Sequence, residues 1–369
     1  MRRMGRPGRR AGIIGGIAGA GAAAVAVGLA AERFAIGRYR RGPDPEAEQP
    51  FGRLPTDRQR TVRADDGTPL HVEEVGPPDA PLTVVFAHGY VNSLGTWHYQ
   101  RLGLADMANP PVRMVFYDHR GHGRSGDSAR ERCTIDQLGA DLAAVLDEVV
   151  PTGPVALVGH SMGGMTIMAL AERRPELFGE RIVGVALLST STGRLAEVTL
   201  GLPALLARVK APVLPRLASQ ARRRARLAER SRRLGGDVVW LFVRRLGFGS
   251  KDVSSAMVDY VAKIIASTPI HTIADFHDAL MAHDKLGALP VLRGLPVLVL
   301  VGERDLITPP DHSRAIAAEL PDAELAVLED AGHMVMMERA ALVNLHLRTF
   351  LHRAYRHAAG TGRRRRRKA

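Results

Sequence analysis

A single cysteine, Cys133, is all the thiol chemistry that the 369 residues carry. No internal disulfide can form, no thiolate cluster can hold a metal, and the redox compartment stays open because disulfide-free proteins occur on both sides of membranes. The fourteen histidines lack a ligand spacing such as HExxH, so no metal centre is indicated. Internal repeats are also absent. The middle of the chain lacks excess charge of either sign. The net charge is +13, but nine arginines against one glutamate in residues 1–41 and six basic residues at 363–368 account for all of it, leaving residues 42–362 close to neutral. This argues against a nucleic-acid-binding core. The terminal run RRRRRK has no interleaved aromatics or folded reading element, and it suits contact with anionic lipid better than with nucleic acid.

With 46% hydrophobic residues the chain can bury a large core, in one large domain or two ordinary ones. Residues 11–31, AGIIGGIAGAGAAAVAVGLAA, carry no charge and as a helix would reach roughly 30 Å, about one hydrocarbon core. Arginines precede this segment, which reads as a membrane anchor or an export signal, twin-arginine export included. Arg33, Arg38, Arg40 and Arg41 follow directly and favour the anchor over cleavage. Orientation is open, because basic residues flank both ends. Residues 42–57, rich in proline and charge, read as a linker.

Beyond the linker, RTVRADDGTPLHVEEV places two extended stretches around Asp66-Gly67, a hairpin signal. Apolar, β-branched runs then recur: LTVVFA at 82–87, VRMVFY at 112–117, PVALVG at 154–159, IVGVALLS at 182–189, PVLVLV at 296–301 and ELAVL at 324–328. Helix-length segments such as TIDQLGADLAAVLDEVV separate them. Strands apolar on both faces and alternating with helices indicate a parallel sheet covered on both sides. The rhythm fails between Ser191 and Leu289, where helix formers and arginines take over, so residues 191–290 read as a helical cap inserted between core segments 58–190 and 291–355. A basic tail at 356–369 closes the chain.

In LVGHSMGG, Ser161 lies between a strand and a helix, surrounded by Gly159, Gly163 and Gly164. A turn this sharp strains the serine backbone and requires small neighbours, and it would expose the hydroxyl near the positive end of a helix. A serine hydroxyl is a weak nucleophile unless a base takes its proton and a third group orients that base. Asp305, in GERDLITP after one strand, and His333, in AGHMV after the next, supply candidates in the right chain order. The N–H groups of Tyr90, in AHGYVNS, and Met162 could meet a developing oxyanion. His88 reads as a loop-holding residue, and Trp97 as pocket lining or packing beneath the pocket.

HGY after the third strand, YDHRGHGRS at 117–125, GHSMGG at 159–164, GERD at 302–305 and GH at 332–333 together resemble the α/β-hydrolase superfamily, specifically its capped, cofactor-independent serine hydrolases, over roughly residues 58–355. The resemblance implies an α/β-hydrolase fold: a mostly parallel eight-stranded sheet flanked by helices, with an inserted helical cap. It implies scaffold roles for Asp118, Arg120 and His122, and a serine at position 161 argues against the aspartate-nucleophile dehalogenases and epoxide hydrolases. The expected function is cleavage of small-molecule or lipid carboxylic esters through an acyl-enzyme, without a cofactor. Thioester, amide or carbon–carbon cleavage and haloperoxidase-like perhydrolysis by the same triad are alternatives, with a non-catalytic binder more remote. Substrate chain length and oligomeric state are open.

Overall fold

The computed structural model describes Gly37 and residues 43–54, 56–201 and 236–366, without the side chains of residues 236, 238 and 361–366. Residues 11–31, read above as anchor or export signal, lie outside the described residues, as does most of the arginine-rich part of the expected cap. Among the described residues, no helix is long and apolar enough to cross a membrane.

Eight strands form one sheet: β1 (Arg58–Arg63), β2 (Pro69–Val75), β3 (Leu82–Ala87), β4 (Val112–Tyr117), β5 (Val155–His160), β6 (Ile182–Leu188), β7 (Val297–Gly302) and β8 (Glu324–Leu328). Their order across the sheet is β1-β2-β4-β3-β5-β6-β7-β8. The first hairpin and the β2–β4 pair are antiparallel, and all later pairs are parallel. The expected hairpin turns at Gly67, whose φ of 81° is the left-handed geometry that glycine accepts freely.

Alternation along each strand divides the core between two faces. Leu82, Val84 and Phe86 of β3 join Trp97, Phe116 and Phe350 on one face, while Val85 and Ala87 join Leu142, Leu157 and Ile167 on the other. Every residue of β3, β5, β6 and β7 is buried, which explains why these strands read as unbroken apolar runs. Helices cover both faces. After the short α1 (His98–Gly103), α2 (Ile135–Val149) starts where Thr134 accepts a hydrogen bond from the Gln137 N–H. The next helix, α3 (Met162–Arg173), ends before Pro175, because the residue preceding a proline is pushed out of helical geometry.

Between β6 and β7 the described residues contain no named strand. They hold α4 (Gly236–Phe242), which passes into a π-helical turn at Val243–Gly247, then α5 (Ser255–Ser267) and α6 (Ile270–Met281). The stretch expected to be a plain linker packs against this insertion. Asp44 accepts hydrogen bonds at 2.8 Å from both the Ser255 hydroxyl and the Ala256 N–H at the start of α5, and Phe51 stacks on Tyr260 at 4.9 Å. Burial by the Tyr260 ring and capping of a helix start were invisible in a proline- and charge-rich stretch without an apolar period. The final helices are α7 (Pro310–Glu319), α8 (Val335–Glu338) and α9 (Ala340–Arg366). Since α9 continues to Arg366, the basic tail expected from residue 356 begins instead as an extension of the last core helix.

The YDHRGHGRS segment holds the scaffold together, as the resemblance implied. Arg120, fully buried, donates to both carboxylate oxygens of Asp141 at 2.6 Å and to Asp66 at 2.8 Å. Removing one partner of a buried ion pair strands the other charge. Asp141→Ala should therefore lower stability by about 3–5 kcal/mol, measured as a shift in the urea unfolding midpoint. A loss below about 1 kcal/mol, the range of exposed pairs, would refute this role.

Candidate active site

Ser161 occupies the single residue between β5 and α3, with φ 52° and ψ −118°. Few non-glycine residues tolerate this geometry, and it persists only where surrounding packing enforces it. Gly159 and Gly163 permit that packing. A Cβ at Gly163 would lie 2.0 Å from the Ala87 carbonyl oxygen, and one at Gly159 would lie 2.6 Å from the Gly163 backbone. The helix thus meets β3 and β5 backbone to backbone, and the Thr190 hydroxyl donates to the Ser161 carbonyl at 2.7 Å.

The loops after β7 and β8 bring the other two expected residues to the same point. The Arg304 N–H donates to the Ala331 carbonyl at 2.8 Å and ties these loops together. Asp305 Oδ1 accepts from the N–H groups of Ile307 and Thr308, and Oδ2 from the Thr308 hydroxyl, each at 2.9 Å. His333 Nδ1 stands 2.9 Å from Asp305 Oδ2, and its Nε2 stands 3.0 Å from Ser161 Oγ. A carboxylate facing Nδ1 keeps the proton there, which leaves Nε2 free to accept the serine proton. Burial alone would raise the Asp305 carboxyl, but His333 and the N–H donors outweigh it and hold the group below its ordinary value, hence ionised.

Ser161 and His333 open onto a cavity of about 300 Å³. Apart from these two, its walls come mainly from Val239, Phe242, Val243, Leu246, Val261 and Ile265, with Tyr90 at one side. The Tyr90 hydroxyl is engaged by donation to the Ile273 carbonyl of α6. Met162 is the first residue of α3, so its N–H belongs to the helix-start group without an intrahelical partner. The structure thus brings Ser161, His333 and Asp305 within hydrogen-bond distance in series, with Tyr90 lining the same cavity and Met162 next to Ser161 at the start of α3.

Other expected residues stand apart from the cavity. His88 donates from Nδ1 to the Gly89 carbonyl and accepts the His119 N–H at Nε2, at 2.8 and 3.0 Å, as a loop-holding residue should. Trp97 is fully buried and packs on Phe86 at 5.1 Å, beneath the site. Two contributors escaped the sequence reading. Thr308, three residues after Asp305, supplies two of its donors; a threonine at that spacing from an aspartate was the available signal. His160 donates from Nε2 to the His333 carbonyl at 2.9 Å, and no local pattern could reveal a partner so distant in sequence. No cluster of three or more histidine, cysteine or acidic residues among the described residues could hold a metal.

A sheet of this order carrying a serine at the strand-to-helix turn after β5 defines the α/β-hydrolases. The family model described as serine aminopeptidase, S33, matches residues 78–340, and the chain belongs to that α/β-hydrolase family. It is 29% identical over 310 residues to the dihydrolipoyllysine-residue acetyltransferase component of the acetoin cleaving system of Pseudomonas putida, covering 84% of this chain and 70% of that protein. It is 27% identical over 264 residues to an sn-1-specific diacylglycerol lipase of Mus musculus, covering 71% and 78%. A thermophilic esterase from Thermogutta terrifontis shares the fold, with a TM-score of 0.63 at 24% identity over 81% of this chain and 99% of that one.

The backbone contact at the turn is directly testable. Gly163→Ala should destabilise the protein by about 1–3 kcal/mol through overpacking, seen as a lowered thermal midpoint. An unchanged midpoint would mean that α3 is not pressed against β3 as described.

Proposed function

We propose that the protein is a serine hydrolase that cleaves carboxylic esters through an acyl-enzyme. The hydrogen-bonded series Ser161–His333–Asp305, opening onto an apolar cavity, carries this reading. In the proposed reaction, the ester carbonyl lies over Ser161 with its acyl chain among Val243, Leu246 and Val261. His333 Nε2 takes the hydroxyl proton as Oγ attacks, and Asp305 stabilises the imidazolium and holds its tautomer. The N–H groups of Tyr90 and Met162 take the developing oxyanion. Protonation by His333 releases the alcohol, and water, activated by the same histidine, frees the acid and regenerates Ser161.

An apolar cavity favours acyl chains over charged ones, because each buried methylene is worth about 0.8 kcal/mol. The relative named as an sn-1-specific diacylglycerol lipase supports an ester substrate. Attachment to a membrane through residues 11–31, or export directed by them, belongs to the same proposal and rests on their apolar length and flanking arginines.

Turnover of p-nitrophenyl esters from acetyl to palmitoyl tests the reading. The value of kcat/KM should rise about threefold to fourfold per added methylene until the cavity is full. Asp305→Asn should reduce kcat by about 10⁴-fold, and Ser161→Ala by about 10⁶-fold. Ester turnover that survives Ser161→Ala would reject the proposal. Organophosphonate labelling of Ser161 without turnover of any ester would move the reaction to thioester, amide or carbon–carbon cleavage.

A further inference from the structure

We infer that Glu338 is a positioning residue that locks the His333 loop to the cavity-lining end of the inserted segment; this rests on the serine-hydrolase reading above. Glu338 ends α8, a single turn beyond His333. Its carboxylate gathers backbone donors from two distant stretches of chain. Gly249 N–H lies 3.0 Å from Oε1 and 3.1 Å from Oε2, and Ser250 N–H lies 2.5 Å from Oε1. From the histidine loop, Gly332 N–H donates to Oε2 at 2.6 Å. Among the described residues, these recorded partners are all backbone N–H groups. An ionised acceptor makes such bonds shorter and about twice as strong as neutral ones.

The two stretches also touch directly. The Met334 N–H donates to the Gly247 carbonyl at 2.7 Å. A Cβ on Gly249 would come within 2.6 Å of the Ala331 carbonyl carbon, and one on Gly332 within 2.6 Å of the Gly249 nitrogen. Gly247 closes the π-helical turn that presents Val243 and Leu246 to the cavity. One carboxylate therefore sets the cavity wall on one side and the residue preceding His333 on the other. Loss of the latch has two separable consequences. Displacement of His333 lowers kcat whatever the substrate, and displacement of the wall weakens only those substrates long enough to touch it.

Glu338→Gln puts an amide NH₂ where an oxygen accepts N–H donors, so at least one of the bonds is lost. For the folded variant, kcat on both acetyl and octanoyl p-nitrophenyl esters should fall about 10- to 100-fold. KM should rise several-fold on the octanoyl ester alone. The rate at which an organophosphonate labels Ser161 should fall by the same factor as kcat. A merely stabilising role would lower the melting temperature and leave this kcat-against-KM split and the labelling rate untouched. Should E338Q not fold, Gly249→Ala, which pushes the same two stretches apart, is expected to give the same kinetic pattern. Folded variant protein with labelling and turnover within twofold of wild type overturns the inference. If wild-type protein is labelled at Ser161 yet cleaves no ester, the ester reading fails while the labelling rates still decide the role of Glu338.

Discussion

Everything at the site depends on one backbone constraint, the left-handed φ of Ser161, enforced by pressing α3 against β3 and β5 without an intervening side chain. Strain of this kind costs on the order of 1–3 kcal/mol and survives only when the surroundings over-determine it. Here the surroundings are the core itself. Gly159 and Gly163 let the helix approach to backbone contact, and the Thr190 hydroxyl holds the Ser161 carbonyl. The hydroxyl is thereby projected beyond the carboxyl edge of the sheet, where the loops after β7 and β8 also emerge. A parallel sheet puts all those loop ends on one side, so a single strained turn is enough to assemble the three side chains.

Burial shapes the histidines around this point. His88, His119, His122 and His160 are all fully buried. Burial first, with neighbouring imidazoles adding to it, pushes His119 and His160 down to about 3 and His88 well below its ordinary value; burial also takes His122 down to about 4. They are therefore neutral at physiological pH. Each donates its one ring N–H to a backbone carbonyl: His88 to Gly89, His119 to His88, His122 to Arg120 and His160 to His333. Neutral donors of this kind stiffen the loops beneath Ser161 without adding charge next to His333. His333 instead lies 2.9 Å from the buried, ionised carboxylate of Asp305, whereas the carboxylate nearest His88, that of Asp118, stands 3.8 Å away.

The sheet and the positions of Ser161, Asp305 and His333 at strand ends were legible from the sequence because both rest on short-range patterns. Strands buried on both faces must be apolar throughout, and a strand-to-helix turn with glycines on either side of a serine has few other uses. Asp305 and His333 were legible because each follows such a strand. What remained hidden depends on contacts between distant segments: the packing of Asp44 and Phe51 against α5, the bond from His160 to the His333 carbonyl, and the carboxylate of Glu338 bridging two loops. The extension of α9 to Arg366 was hidden because a run of arginines reads as a solvated tail, although arginine is a good helix former.

By itself, then, the sequence determined the order of strands and helices, the place of Ser161 at a strand-to-helix turn, and the chain order of the aspartate and histidine that meet it, because propensity and apolar periodicity act over a few residues. Only the tertiary structure decided which donors hold Asp305 ionised, which side chains wall the cavity, and how the inserted segment is tied to the histidine loop. Those outcomes depend on distances between groups separated by many residues along the chain, and hydrogen bonding and desolvation act through distance in space.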